Sequence, residues 1–148
     1  MRTVVKLNLN EESQKNLKEY AMRVRSAGIP KKEFHSTIYY SEEIHICNDA
    51  ETTKKIMSSL PIEISPNYSL DIFGKNCLVL RYENSNVMEL EGFLKGIAMG
   101  NSKTSYAKFN PHITLGKEFN ERHLKFLSLF EKKIIFDSFS WDFYGGKF

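Results

Sequence analysis

Cysteine, proline and tryptophan are scarce in this 148-residue chain, which has two, four and one of them respectively. Cys47 and Cys77 form neither a C-x-x-C pair nor a zinc-ligand spacing, so the sequence predicts no disulfide framework and no zinc site. The first apolar residues, Val4 to Leu9, alternate like a strand instead of forming the apolar core of a secretion signal. We therefore expect reduced thiols and a cytoplasmic protein.

Long apolar runs and strong net charge are also missing. No stretch approaches the roughly 20 apolar residues that a membrane helix needs, so we expect no membrane association. The net charge of +3 is too small to predict binding to duplex nucleic acid, although it would not repel an anionic substrate. The chain has no H-E-x-x-H motif and no close cluster of histidine and aspartate, so we predict no metal and no other cofactor. No protein partner is indicated.

What the chain does contain is the same order of elements twice. Val5–Leu9 alternates like a strand, Asn10 offers a helix cap, a helical stripe ends before Gly28, and Phe34–Tyr40 is a second strand. The order returns in Leu78–Tyr82, a helix from about Asn84 to Gly100, and His112–Leu115. The length fits one domain, residues 1–148, with two pseudo-symmetric lobes.

The remaining segments complete an α+β prediction. Helices are expected over Ala50–Leu60 and Asn120–Lys132, and strands over Ile62–Ser65, Tyr68–Phe73 and Ile134–Phe143. We expect a bilobal fold with two antiparallel sheets that line a central cleft and with helices outside.

Two histidines are each followed, two residues later, by a threonine. Because alternate residues of a strand point to opposite faces, His35 and Thr37 share one face, and so do His112 and Thr114. Paired imidazoles suit general base and acid catalysis, and threonine hydroxyls can donate hydrogen bonds to phosphate oxygens. The pattern predicts a metal-free phosphodiesterase with the nucleophile inside the substrate, such as a ribose 2′-hydroxyl. We expect His35 as the base, but the sequence leaves the reverse assignment open.

Other residues are candidates for substrate binding. Strand parity places Lys6, Asn8 and Tyr39 on the face of His35, and Arg81 on the opposite face from Leu80. Lys6 and Arg81 could hold phosphate charge, or could be ordinary exposed strand residues. Tyr39, Phe73 and Trp141 could each stack on a base. For Trp141, a core position closing the sheet is the favoured alternative. His45 and His123 are expected to be surface residues without a catalytic role.

The motifs His35-Ser36-Thr37-Ile38 and His112-Ile113-Thr114-Leu115 resemble the paired H-x-T/S-hydrophobic motifs of the 2H phosphoesterase superfamily, which includes LigT-like RNA phosphodiesterases. The segments Met1–Leu7 and Phe109–Lys117 are most similar to phage anti-CBASS phosphodiesterases, which destroy the cyclic oligonucleotide messengers of a bacterial antiviral system. The resemblance implies a bilobal fold, a cyclic oligonucleotide substrate, attack on a 3′–5′ bond through the adjacent 2′-hydroxyl, and catalytic roles for His35, Thr37, His112 and Thr114.

Two other functions remain open from the sequence. A related enzyme would open 2′,3′-cyclic phosphates or cleave 2′–5′ linkages, since the motifs do not define the base pockets. A non-catalytic module would bind a nucleotide in the same cleft without turnover.

Overall fold

The computed structural model describes residues 2–24, 29–30, 33–41, 50–98 and 109–144. In chain order the elements are β1 (Arg2–Leu9), α1 (Glu11–Val24), β2 (Ile29–Pro30), β3 (His35–Ser41), α2 (Ala50–Ser58), β4 (Ile62–Ile64), β5 (Ser69–Phe73), β6 (Cys77–Arg81), α3 (Ser85–Ala98), β7 (His112–Lys117), a 3₁₀ helix (Glu121–Phe126) and β8 (Ile134–Tyr144). The predicted α+β class is confirmed.

The strands form two four-stranded sheets, both antiparallel throughout. Sheet one has the order β3-β1-β8-β4, and sheet two has the order β2-β7-β6-β5. Each half of the chain has a strand, then a helix, then a second strand of the same sheet. These are β1, α1 and β3 for sheet one, and β6, α3 and β7 for sheet two. The repeated order predicted from the sequence is therefore present.

Helix caps fall where the sequence predicts them. The side-chain oxygen of Asn10 accepts a hydrogen bond from the backbone N–H of Ser13 at 2.9 Å, and that of Asn84 accepts from Val87 N–H at 3.1 Å. Each bond satisfies a backbone donor that the first helical turn leaves unpaired. The predicted helix ends at Gly28 and Gly100 lie outside the described residues.

One hydrophobic core joins the inner faces of the sheets and the helices. Val5 and Leu7 of β1 pack with Leu17 and Tyr20 of α1, and all four side chains are essentially inaccessible to solvent. The same cluster continues into Leu80 on β6, so residues of both sheets contribute to it. Because the core covers one face of β1, Lys6 and Asn8, which alternate with Val5 and Leu7, face the other way.

The predicted helix over Asn120–Lys132 is wrong beyond its first turns. Only Glu121–Phe126 is helical, as a 3₁₀ segment whose side chains include no buried residue. The following stretch is held by contacts that a helix would not allow: Tyr20 donates its hydroxyl to the carbonyl of Ser128 at 2.7 Å, and Tyr68 donates to that of Lys132 at 2.8 Å. Tertiary contacts therefore override the local helical pattern.

Among the described helices, none combines the length and the apolar character required to cross a lipid bilayer.

Candidate active site

The first motif lies on β3, at the edge of sheet one. His35 is opposite Asn8 and Thr37 is opposite Lys6 in the ladder with β1. Directly opposed residues of an antiparallel pair project to the same face. His35, Thr37, Lys6 and Asn8 are all partly exposed on that face, whereas Ser36 on the other face is buried. The predicted parity of the first motif is confirmed.

The second motif lies on β7, an interior strand of sheet two. His112 is opposite Arg81 of β6, and Thr114 is opposite Val79. Between the two motif residues, Ile113 is fully buried in the core. His112 and Thr114 therefore share the face that points away from the core, about 7 Å apart along the strand.

A cavity of about 360 Å³ brings the two motifs together. Its lining includes Thr37 from the first motif and His112 from the second, and β3 and β7 are in contact beside it. The other lining residues are Ile72, Phe73, Gly74, Phe109 and Asn110. His35 and Thr114 lie on the same strand faces as their motif partners.

His112 has a defined hydrogen-bonding state. Its ring Nδ1 lies 2.7 Å from the carbonyl oxygen of Asn110, and a carbonyl oxygen can only accept. Nδ1 therefore carries a proton, and in the neutral ring Nε2 is the basic atom. Burial lowers the pKa of His112, and the positive charge of Arg81 lowers it further, while the bond to Asn110 acts in the opposite direction. The net effect favours the neutral imidazole.

Two cations on the cleft faces are held by carboxylates. Lys6 Nζ lies 2.7 Å from Asp142 Oδ2, and an Arg81 guanidinium nitrogen lies 3.2 Å from Asp71 Oδ2. The other Asp71 oxygen accepts the backbone N–H of Ile72 at 2.8 Å, which fixes the carboxylate. These pairs fix the positions of the Lys6 and Arg81 side chains beside Thr37 and His112.

Phe73 is the predicted aromatic that the structure brings to the cavity. Its ring meets that of His112 edge-on, with 4.7 Å between the ring centroids. Gly74 follows in the turn between β5 and β6 with φ +55°, a conformation in which a side chain is strained.

The predicted position of Tyr39 is wrong. Between Val5 and Lys6 the ladder with β3 shifts by one residue, so that Tyr39 is opposite Val5 and Thr37 is opposite Lys6. This β-bulge reverses the alternation after Ile38 and turns Tyr39 into the core, where it is 3% exposed. Tyr40 occupies the cleft face in its place, opposite Val4.

Trp141 lies on the core side of sheet one. In the ladder it is opposite Val5, and Phe139 is opposite Leu7, which places both aromatics on the face away from His35. Both pack against the hydrophobic core. The structure thus favours the alternative of a core tryptophan and does not bring Trp141 to the cavity.

Several residues in and around the cavity were missed by sequence reasoning. Asn110 and Phe109 precede the second motif, and the Asn-Pro pair that follows Phe109 was a readable turn signal. Asp71 was missed because a lone strand aspartate carries no motif. His45 lies outside the described residues, and His123 is exposed on the 3₁₀ helix, as expected. Within the described ranges, no group of three histidine, cysteine or acidic residues could hold a metal ion.

A family model described as "Anti-CBASS protein Acb1" matches residues 2–140. The chain belongs to this family. The residues matched by the Acb1 model include both motifs, strands β1 to β7, and β8 as far as residue 140. A search of curated proteins found no similar sequence.

Solved structures share this chain's fold at low sequence identity. LigT from E. coli in its apo form has a TM-score of 0.66 at 18% identity, covering 95% of this chain and 85% of that one. LigT complexed with 3′-AMP has a TM-score of 0.61 at 18% identity, with coverage of 99% and 90%. TT0787 of Thermus thermophilus reaches 0.53 at 17% identity, with coverage of 95% and 84%. The bilobal fold predicted by the resemblance is confirmed.

Proposed function

We propose that the chain is a phosphodiesterase of the 2H superfamily, which cleaves the 3′–5′ bonds of cyclic di- or trinucleotide second messengers and thereby lets a phage evade CBASS immunity. The observation that carries the proposal is the cavity that receives Thr37 from one motif and His112 from the other. Its volume lies in the range of about 300–1,000 Å³ that is typical of small-molecule sites. The match to the anti-CBASS family supports a substrate of the messenger class. Under this proposal the enzyme acts in the cytoplasm of the infected cell.

The reaction proceeds by in-line displacement at phosphorus. The ribose 2′-oxygen attacks the adjacent 3′-phosphate, a base removes its proton, and the bond to the 5′-oxygen breaks as an acid protonates that oxygen. The products of this step are a 2′,3′-cyclic phosphate end and a free 5′-hydroxyl. A water molecule then converts the cyclic phosphate to an open phosphate by the reverse proton transfers. Thr37 and Thr114 donate hydrogen bonds to the non-bridging oxygens.

The hydrogen bonding and burial of His112 support one assignment of the two proton transfers. Its neutral ring presents an unprotonated Nε2, because Nδ1 donates to Asn110 and burial lowers the pKa. We therefore assign His112 as the base and His35 as the acid, the reverse of the expectation from the sequence. Lys6 and Arg81 offset phosphate charge on either side, and Phe73 provides a surface for base stacking.

The substrate class is tested by incubating the protein with cyclic di- and trinucleotides, linear 2′–5′ oligomers and 2′,3′-cyclic nucleotides. Turnover of the cyclic ring substrates is expected, and it should stop when the ribose beside the scissile phosphate is 2′-deoxy. Turnover of only the linear or 2′,3′-cyclic substrates would refute the messenger assignment. Tight binding without any product, unchanged in His112→Ala, would indicate a binding module instead.

Excess EDTA tests the metal-free mechanism in the same assay. The rate is expected to stay unchanged, because histidines and hydroxyls supply every proton and hydrogen bond in the scheme. Loss of activity that returns with added divalent cation would contradict it.

A further inference from the structure

The two motif strands lie side by side without a shared ladder. In the described part of the chain, β3 is the edge of sheet one and β7 lies between β2 and β6 of sheet two. Backbone hydrogen bonds fix the spacing of strands within one sheet at about 4.8 Å, but they fix nothing between these two sheets. Catalysis by two histidines requires that their separation be held to within about an ångström. Some other contact must therefore set the distance between β3 and β7.

A buried chain of hydroxyl groups spans this junction. Ser36, the residue between His35 and Thr37, donates its hydroxyl to the backbone carbonyl of His112 at 3.0 Å. Tyr82 Oη lies 2.6 Å from the same Ser36 oxygen. Since the single hydroxyl proton of Ser36 is used on the carbonyl, Tyr82 is the donor in the second bond. The chain runs from Tyr82 through Ser36 to His112.

Both hydroxyl groups are sealed from water. Ser36 is fully buried and Tyr82 is 3% exposed. The Tyr82 backbone N–H also donates to the carbonyl of Pro111 at 3.2 Å, so the residue before His112 is tied to the backbone of Tyr82. The Tyr82 ring packs on Phe136 of sheet one, with centroids 5.9 Å apart. Because both hydroxyls are buried, water cannot replace either hydrogen-bond partner. The two bonds therefore hold the spacing between β3 and β7.

We propose that Ser36 and Tyr82 are positioning residues that set the separation of the two catalytic histidines. Both residues are buried and neither lines the cavity, so they act on the histidines through the backbone. Ser36 joins the backbone of the first motif to that of the second, and Tyr82 holds Ser36 in the orientation that this bond needs. The inference rests on the proposed two-histidine mechanism, but not on which nucleotide is the substrate.

The test variant is Tyr82→Phe, which removes one hydroxyl and keeps the ring. Tyr68→Phe is the matched control, because Tyr68 is also buried and donates its hydroxyl to a backbone carbonyl, that of Lys132, away from both motifs. Ser36→Ala removes both bonds. If Ser36→Ala fails to fold, the pair Tyr82→Phe and Tyr68→Phe carries the test alone.

Each variant is assayed on two substrates. The first is whichever nucleotide phosphodiester the unaltered enzyme cleaves in the substrate panel, whose leaving alkoxide needs the acid. The second is a nucleoside 3′-(4-nitrophenyl phosphate), whose leaving group departs without an acid and so needs only the base. For Tyr82→Phe we expect kcat on the first substrate to fall about 10- to 100-fold with KM within about twofold, and kcat on the second to stay within about twofold. Tyr68→Phe should match the unaltered enzyme on both.

The double variant of Ser36→Ala and Tyr82→Phe should lose no more kcat than Ser36→Ala alone, because both residues act through one chain of bonds. Equal losses for Tyr82→Phe on the two substrates, or a Tyr82→Phe profile no different from that of Tyr68→Phe, would overturn the proposal. Failure of the cyclic messengers as substrates would overturn the proposed function and leave this test intact.

Discussion

The backbone of Phe34, just before the first histidine, is held by two hydrogen bonds from one helix side chain, Gln14. We call this pair of bonds the clamp, and its contribution to the unfolding free energy can be measured. Gln14 Nε2 donates to the Phe34 carbonyl at 2.6 Å, and the Phe34 N–H donates to Gln14 Oε1 at 3.0 Å. Gln14→Leu keeps the approximate size and removes both bonds. Leaving a buried backbone group unpaired costs about 1–3 kcal/mol, and the lower half of that range applies here because the bonds are partly buried. The expected loss is about 2–4 kcal/mol of unfolding free energy for the two groups.

Urea and thermal unfolding followed by circular dichroism measure the effect. For a chain of this size each kcal/mol lowers Tm by about 2–4 °C, so a fall of about 4–16 °C is expected. Lys15→Leu is the control, since Lys15 is the next residue of α1, is exposed, and changes to the same side chain. An unfolding free energy for Gln14→Leu within about 0.5 kcal/mol of the Lys15→Leu value would refute the assignment of the clamp.

Four further predictions concern the reaction and substrate binding. In the pH profile of kcat/KM, the acid limb should have its midpoint below pH 6.5, because burial lowers the pKa of His112 from that value. Activity is lost at lower pH because protonation removes the neutral imidazole that acts as the base. Arg81→Gln should move that midpoint to higher pH, since it removes a charge that lowers the same pKa, and a shift to lower pH would contradict the assignment. His35→Ala should lower kcat about 10²- to 10⁴-fold on a ribose leaving group and far less on 4-nitrophenolate, and equal losses would exclude an acid role. Phe73→Ala should raise KM about 5- to 150-fold if a base stacks there, whereas Phe126→Ala, on the exposed 3₁₀ helix, should leave KM unchanged.

Strand alternation and helix caps predicted the parts of the fold where local and tertiary preferences agree. The faces of His35 and Thr37, and of His112 and Thr114, followed from parity because each strand runs regularly through its motif. The caps at Asn10 and Asn84 were readable for the same reason, since a cap is a contact with residues three positions away.

The misplaced residues depend on interactions that no local pattern encodes. Tyr39 turned inward because the ladder with β1 shifts by one residue, and nothing in Ile38-Tyr39-Tyr40 marks a bulge. The segment after Phe126 is held by the Tyr20 hydroxyl from a distant helix. The orientation of the His112 ring depends on the Asn110 carbonyl, and a backbone group has no signature in the sequence.

The bulge in β3 has a consequence for comparing this chain with its relatives. A relative whose strand runs regularly needs one residue fewer between its first threonine and the end of β3, so a gap in the alignment belongs at Ile38. An alignment that forces strict alternation through this strand would exchange the two tyrosines, and would place the core residue Tyr39 on the cleft face instead of Tyr40.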